Sequence, residues 1–225
     1  MTEEEWLACK DPQRIICEVA INCQECWEAR RGRLFAVACC RQLLRLPDDR
    51  LAGVISVAEG YADGVVDEAE LGVALGIALD ALEWEARHDM SSWKYHAAEV
   101  IAAALAHTVV EYALINGLTD WVAAECAAAS VPDASERVAE SLAALVRDLV
   151  GNPFRPITLD PSWLTSTVTT LARIMYDTRD FSAMPILADA IQDAGCDDET
   201  ILTHCRGPGP HVRGCFLIDL LTGKG

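Results

Sequence analysis

The sequence predicts an all-α protein of about ten packed helices, and three observations predict it. Apolar residues recur at helical spacing nearly throughout. No segment alternates apolar and polar residues with period two. Asp, Ser, Thr and Pro stand where the helical patterns begin, and Gly and Asn where they end. With 225 residues, 52% of them apolar, the chain has material for a sizeable core and is not a disordered segment. The breaks divide it into a main helical domain over 1–150 and a C-terminal helical subdomain over 151–225 packed on it.

The elements follow from local chemistry. Thr2 and Glu5 have the spacing of a capping box for a short first helix around Trp6. Asp11-Pro12 is a second start, with Asp as N-cap and Pro in the first helical position. From Arg33 to Leu46, Leu34, Val37 and Ala38 separate from Arg41 and Arg45 into an apolar and a basic side. Pro47-Asp48 starts a helix to about Ala62, and Asp67 with Glu70 opens one to about Arg87. Ser91 or Ser92 caps a long helix through Trp93, Ala97, Val100, Ala104, His107 and Tyr112, which Asn116-Gly117 ends. A short helix from Leu118 to Ala129 follows, Pro132-Asp133 breaks the chain, and Ser135 to Val150 is helical again. The Ala-rich faces between Leu71 and Ala129 suit close helix–helix approach. Gly151-Asn152-Pro153-Phe154-Arg155-Pro156 is the clearest break. Beyond it, Asp160-Pro161 starts a helix covering Trp163 to Asp177, and Pro185 opens one over Ile186 to Ala194 that Gly195 closes. Asp197 or Asp198 caps the next, and Pro210 begins the last, ending near Leu221.

The net charge of −17 is uneven: residues 51–150 hold seventeen of the thirty-five acidic residues but only four of the eighteen Lys and Arg. Such a middle argues against nucleic acid as a partner, because phosphate binding relies on Lys and Arg. The cluster Arg30, Arg31, Arg33, Arg41 and Arg45 is expected to contact the chain's own acidic middle instead. Met1-Thr-Glu-Glu-Glu lacks the basic start and apolar run of a secretory signal. The longest charge-free apolar stretch, Val100 to Val110, is well short of the ~20 residues of a membrane span. The expectation is a cytoplasmic protein with no membrane partner. Its ten cysteines are then reduced thiols that act as small hydrophobes.

Several segments resemble a family of uncharacterised bacterial proteins abundant in planctomycetes. They are Met1-Thr-Glu-Glu-Glu-Trp-Leu-Ala-Cys9, Leu34-Phe-Ala-Val-Ala-Cys-Cys-Arg41, Gly151-Asn-Pro-Phe-Arg-Pro156, Leu159-Asp-Pro-Ser-Trp-Leu164, Ile186-Leu-Ala-Asp-Ala190 and the Cys196–Cys215 tract. The resemblance implies a bacterial intracellular protein and transfers no catalytic residue.

Chemistry-bearing residues concentrate in that last tract, where three cysteines, two histidines and two arginines surround Gly207-Pro208-Gly209-Pro210. A helix starting at Pro210 puts His211 and Cys215 at i and i+4, a natural pair for zinc. Cys196 and Cys205, or His204 in place of Cys205, complete the candidate metal site. Adjacent His204 and Cys205 point apart on a helix, so one of them at most ligates. The competing account makes these cysteines buried packing residues. A candidate anion site uses Arg206, His211 and Arg213 at the same helix start, against local pairing of the arginines with carboxylates. Cys23-Gln24-Glu25-Cys26 lacks the preceding strand of a redox motif. Cys39 and Cys40 read as core.

No nucleophile–base–orienter set assembles in the sequence. The leading expectation is therefore a non-enzymatic all-α interaction or regulatory module with a protein partner. The alternative is a zinc-type metal-binding protein or enzyme whose site lies in the Cys196–Cys215 tract. A small-ligand pocket lined by the six tryptophans and four tyrosines is a third reading.

Overall fold

The computed structural model describes residues 1–22, 29–43, 49–90, 93–105 and 134–224. These residues form eleven α-helices and no strand, so the fold is all-α. The helices are α1 (Glu3–Ala8), α2 (Pro12–Asn22), α3 (Ala29–Leu43), α4 (Asp49–Ala62), α5 (Glu68–His88), α6 (Trp93–Leu105), α7 (Ala134–Val150), α8 (Ser166–Thr178), α9 (Met184–Asp193), α10 (Glu199–Arg206) and α11 (Phe216–Thr222). No described helix is long and apolar enough to cross a membrane. Several expectations lie outside the described residues: the Cys23–Cys26 pair, the Pro47-Asp48 start, the Ser91/Ser92 cap, and the 106–133 segment with Asn116-Gly117, Leu118–Ala129 and Pro132-Asp133.

The chain divides into two compact units, Met1–Ala143 and Ala144–Gly225. The division falls inside α7, a few residues before the Gly151–Pro156 connector.

In the first unit the local start signals act as written. Thr2 Oγ1 accepts the Glu5 N–H at 3.2 Å, and the Glu5 carboxylate accepts the Thr2 N–H at 2.9 Å. Asp11 Oδ1 accepts the N–H groups of Gln13 and Arg14 at the head of α2. Asp67 does the same for Glu70 at the head of α5. Each cap satisfies backbone donors that a helix start leaves unpaired. α3 begins at Ala29 and packs on α4 and α6, while α5 packs on α4 and α6. Leu34 through Cys40 are all buried, and Arg33 with them, while Arg41 at the end of the helix is exposed. Arg30 pairs with Asp63 at 3.2 Å and Arg41 with Glu59 at 3.1 Å. Arg33 donates to the Ala104 carbonyl and lies over the Tyr61 ring at 4.9 Å. Buried guanidinium and carboxylate groups are tolerable only when answered this way. Ala74 and Ala78 of α5 and Ala98 and Ala104 of α6 are buried, as expected of Ala-rich faces that approach closely.

The second unit has its own core. Val168, Ala172, Met175 and Tyr176 of α8 meet Leu187 and Ile191 of α9, Ile201 and Leu202 of α10, and Leu217, Ile218 and Leu221 of α11. The buried positions fall at i, i+4, i+7, i+8 in α8 and at i, i+3, i+4, i+7 in α9, the apolar stripe of a helix. Two predicted starts are corrected. Asp160-Pro161 yields only a 3-10 turn over Pro161–Trp163, because Leu164 leaves helical backbone (ψ 52°) and Thr165 caps α8 instead. Pro210 does not begin the last helix. The Val212 N–H donates to Asp148 Oδ2, which holds the segment off helical backbone, and α11 starts only at Phe216, after Gly214 turns at φ 93°.

Gly151 sets where α7 ends. Its φ of 75° lies in the left-handed region that glycine tolerates, its N–H closes on the Arg147 carbonyl at 2.8 Å, and an added Cβ would fall 3.1 Å from the Phe216 ring. We expect Gly151→Ala to lower stability by about 1–3 kcal/mol, combining strained backbone with overpacking. An unchanged denaturant midpoint would contradict this account of the α7–α11 contact.

Candidate metal centre

Four side chains from separate segments of the second unit converge: Asp148 from the last turn of α7, His204 from the last turn of α10, His211 from the loop, and Cys215 at the head of α11. One donor atom from each lies within 4.8 Å of all the others. Nδ1 of His211 lies 2.9 Å from Oδ1 of Asp148. Nε2 of His204 lies 3.5 Å from the same oxygen and 3.2 Å from Sγ of Cys215. Ligand atoms around tetrahedral zinc stand roughly 3.3–3.8 Å apart, given bonds of about 2.0–2.3 Å.

The chain builds this cluster by local means. Phe216 sits between Gly151 and His204, its ring 4.5 Å from the imidazole, so the close approach at Gly151 brings the end of α7 to the head of α11. Asp198 caps α10 by accepting the Thr200 and Ile201 N–H groups, which fixes that helix's rotation. That rotation directs His204 to the cluster and Cys205, about 100° round the helix, into the core. The Gly207–Pro210 loop, with Gly209 at φ 79°, returns the chain so that His211 meets Asp148. The imidazoles of His204 and His211 stand edge to face at 4.8 Å.

Electrostatics in the cluster follow from exclusion of water. The Asp148 side chain is only 2% exposed, and burial raises its pKa, opposed by His211 and the Val212 N–H. Burial pushes His204 down to about 3, and the charge of His211 adds to this. Burial, then the Asp148 charge, lifts the Cys215 thiol well above its ordinary value, while the amides of Ile218 and Leu217 favour the thiolate. Nε2 of His211 is buried and has no hydrogen-bond partner.

Of the four residues proposed as metal ligands from sequence, His211 and Cys215 are in the cluster. They meet through the loop and not through an i, i+4 relation on a helix. Cys196 and Cys205 are not in it: both lie in the apolar core, and burial lifts the Cys205 thiol to about 12. The choice between His204 and Cys205 falls to His204. Asp148 was missed. Its one sequence signal is a carboxylate in the last turn of a helix, where the macrodipole disfavours negative charge. The three residues of the anion proposal go to different partners. Arg206 donates to Asp189 at 2.9 Å and Gln192 at 2.8 Å, His211 faces Asp148, and Arg213 lies over the Tyr176 ring at 4.5 Å. The helix start at Pro210 that would have offered an anion its N–H groups is absent.

His204 and Cys215 are spaced as a base and a nucleophile are, and Cys215 is fully buried. Comparison with protein-family models, curated proteins and solved structures finds no match.

Two outcomes are expected. In the native protein a small alkylating reagent modifies the exposed Cys17, while Cys39, Cys40, Cys205 and Cys215 react only after denaturation. Peptide mapping reads this directly, and fast modification of Cys215 would restore the nucleophile reading. Asp148→Ala removes the acceptor for His211 and the Val212 N–H, and should lower stability by about 3 kcal/mol in chemical denaturation.

Proposed function

We propose that the chain is a non-enzymatic helical module whose C-terminal unit holds one zinc-type ion at Asp148, His204, His211 and Cys215. The observation that carries this reading is the convergence of four donor atoms from four chain segments within 4.8 Å. One thiolate, two imidazoles and one carboxylate form a borderline-soft set suited to zinc. Magnesium and calcium prefer oxygen ligands. Four protein ligands leave no open position on a tetrahedral ion, which favours a structural role over catalysis. Such an ion fastens the end of α7, the end of α10, the loop and the head of α11 at one point. It also relieves the crowding of a buried carboxylate, thiol and imidazole pair, because a divalent charge favours their deprotonated forms. The resemblance to planctomycete-type bacterial proteins assigns no activity, so the reading rests on the cluster.

Metal analysis of protein made without a histidine tag tests it. We expect one zinc per chain, and on cobalt exchange the intense tetrahedral absorption with a thiolate charge-transfer band. The double variant His204→Ala/Cys215→Ser should lose the ion, whereas Cys196→Ser should keep it. Zinc at a thousandfold excess over its dissociation constant should add about 4 kcal/mol of stability. Folded wild-type protein that takes up neither zinc nor cobalt sinks the proposal, as does a double variant with undiminished zinc.

A further inference from the structure

A metal ligand must be held in aim by its neighbours. For a histidine the usual device is a hydrogen bond from its second ring nitrogen to a carboxylate or a carbonyl. His88 shows such a bond elsewhere in the chain: from the last turn of α5, its Nδ1 lies 2.7 Å from the Trp84 carbonyl. His204 also stands in the last turn of its helix, but its Nδ1 has no hydrogen-bond partner among the described residues. Its contacts to Cys215 Sγ and Asp148 Oδ1 are both made by Nε2. Burial does not fix it either, because its side chain is 18% exposed against 9% for His211 and 2% for Asp148.

Two rings take over the task. His211 meets the His204 imidazole edge to face at 4.8 Å, and Phe216 lies against it at 4.5 Å, tilted by 54°. His211 is itself in the cluster, so Phe216 is the supporting body from outside it. Phe216 is almost fully buried, and three atoms of its ring would stand 3.1, 3.2 and 3.3 Å from a Cβ at Gly151. The ring is therefore wedged between the Gly151 backbone and the imidazole. We propose, resting on the zinc reading above, that Phe216 is the positioning residue of this centre, its ring keeping the His204 imidazole turned so that Nε2 meets the ion. Its place in the chain suits the task. It directly follows Cys215 and touches Gly151, just beyond Asp148. One ring thus sets three of the four ligands in register.

Zinc affinity from competition with a chromophoric chelator, and the visible spectrum of the cobalt form, test this on the full chain. Phe216→Leu keeps an apolar side chain and removes the ring. It should weaken zinc binding about tenfold to a hundredfold, the usual effect of losing a group that orients a ligand. In its cobalt form the tetrahedral absorption should fall as His204 leaves the shell, while the Cys215 thiolate charge-transfer band stays. Phe216→Tyr keeps the ring and should keep both affinity and spectrum. Leu221→Ala, a buried position at the far end of the same helix, should lower stability and change neither. Folded Phe216→Leu with wild-type affinity and spectrum overturns the proposal. So does a loss no greater than that of Leu221→Ala, or Phe216→Tyr binding as weakly as Phe216→Leu. If Phe216→Leu does not fold, Phe216→Met carries the same expectations, because methionine adapts to irregular gaps. Wild-type protein that takes up neither ion overturns the zinc reading and this role with it. Wild-type protein that binds while the Phe216 variants match it overturns the role of Phe216 alone.

Discussion

A carboxylate sealed from water needs donors on both oxygens, and Asp148 imposes that requirement on the C-terminal unit. One oxygen takes His211 and the other the Val212 N–H. Satisfying both keeps residues 211 and 212 out of a helix, which delays α11 to Phe216 and leaves Cys215 at its head. Phe216 can then lie against Gly151 and His204. The caps, the glycine turns and the apolar core of α8–α11 all serve to bring four segments to that buried group.

The first unit handles buried charge differently. There, Arg30 meets Asp63 just after α4, Arg41 meets Glu59 of α4, and Arg33 takes an aromatic ring and a backbone carbonyl. Each of these three cations has its own answer. In the second unit a thiol and two imidazoles gather round one carboxylate. That gathering of donor atoms is the physical reason to propose a metal in the second unit.

What the sequence revealed followed the range of the interactions involved. Caps span three residues, so Thr2 with Glu5, Asp11-Pro12, Asp67 and Asp198 were readable, as was the Gly151–Pro156 break. The all-α class followed because helical periodicity is local. Pro210 misled because its favourable φ was overruled by a bond to a residue some sixty positions earlier. Asp148 showed only its odd place in a last helical turn, for the same reason: nothing near it in sequence announces that His204, His211 and Cys215 will arrive. Cys196 and Cys205 drew attention by composition alone, and only the rotation of α10 shows which of two neighbours faces the cluster. Glycines such as Gly151 are legible as helix ends, but that one admits the Phe216 ring is a tertiary fact.

The separation of Asp148 from His211, 63 positions along the chain, carries a kinetic consequence. The cluster cannot nucleate folding, because closing so long a loop costs configurational entropy before any contact repays it. The apolar helices must dock first, and the buried polar groups lock afterwards. Groups that join after the transition state leave the rate of folding unchanged and slow the rate of unfolding. The cluster then acts as a latch on the finished unit, setting how long it stays folded and not how quickly it gets there.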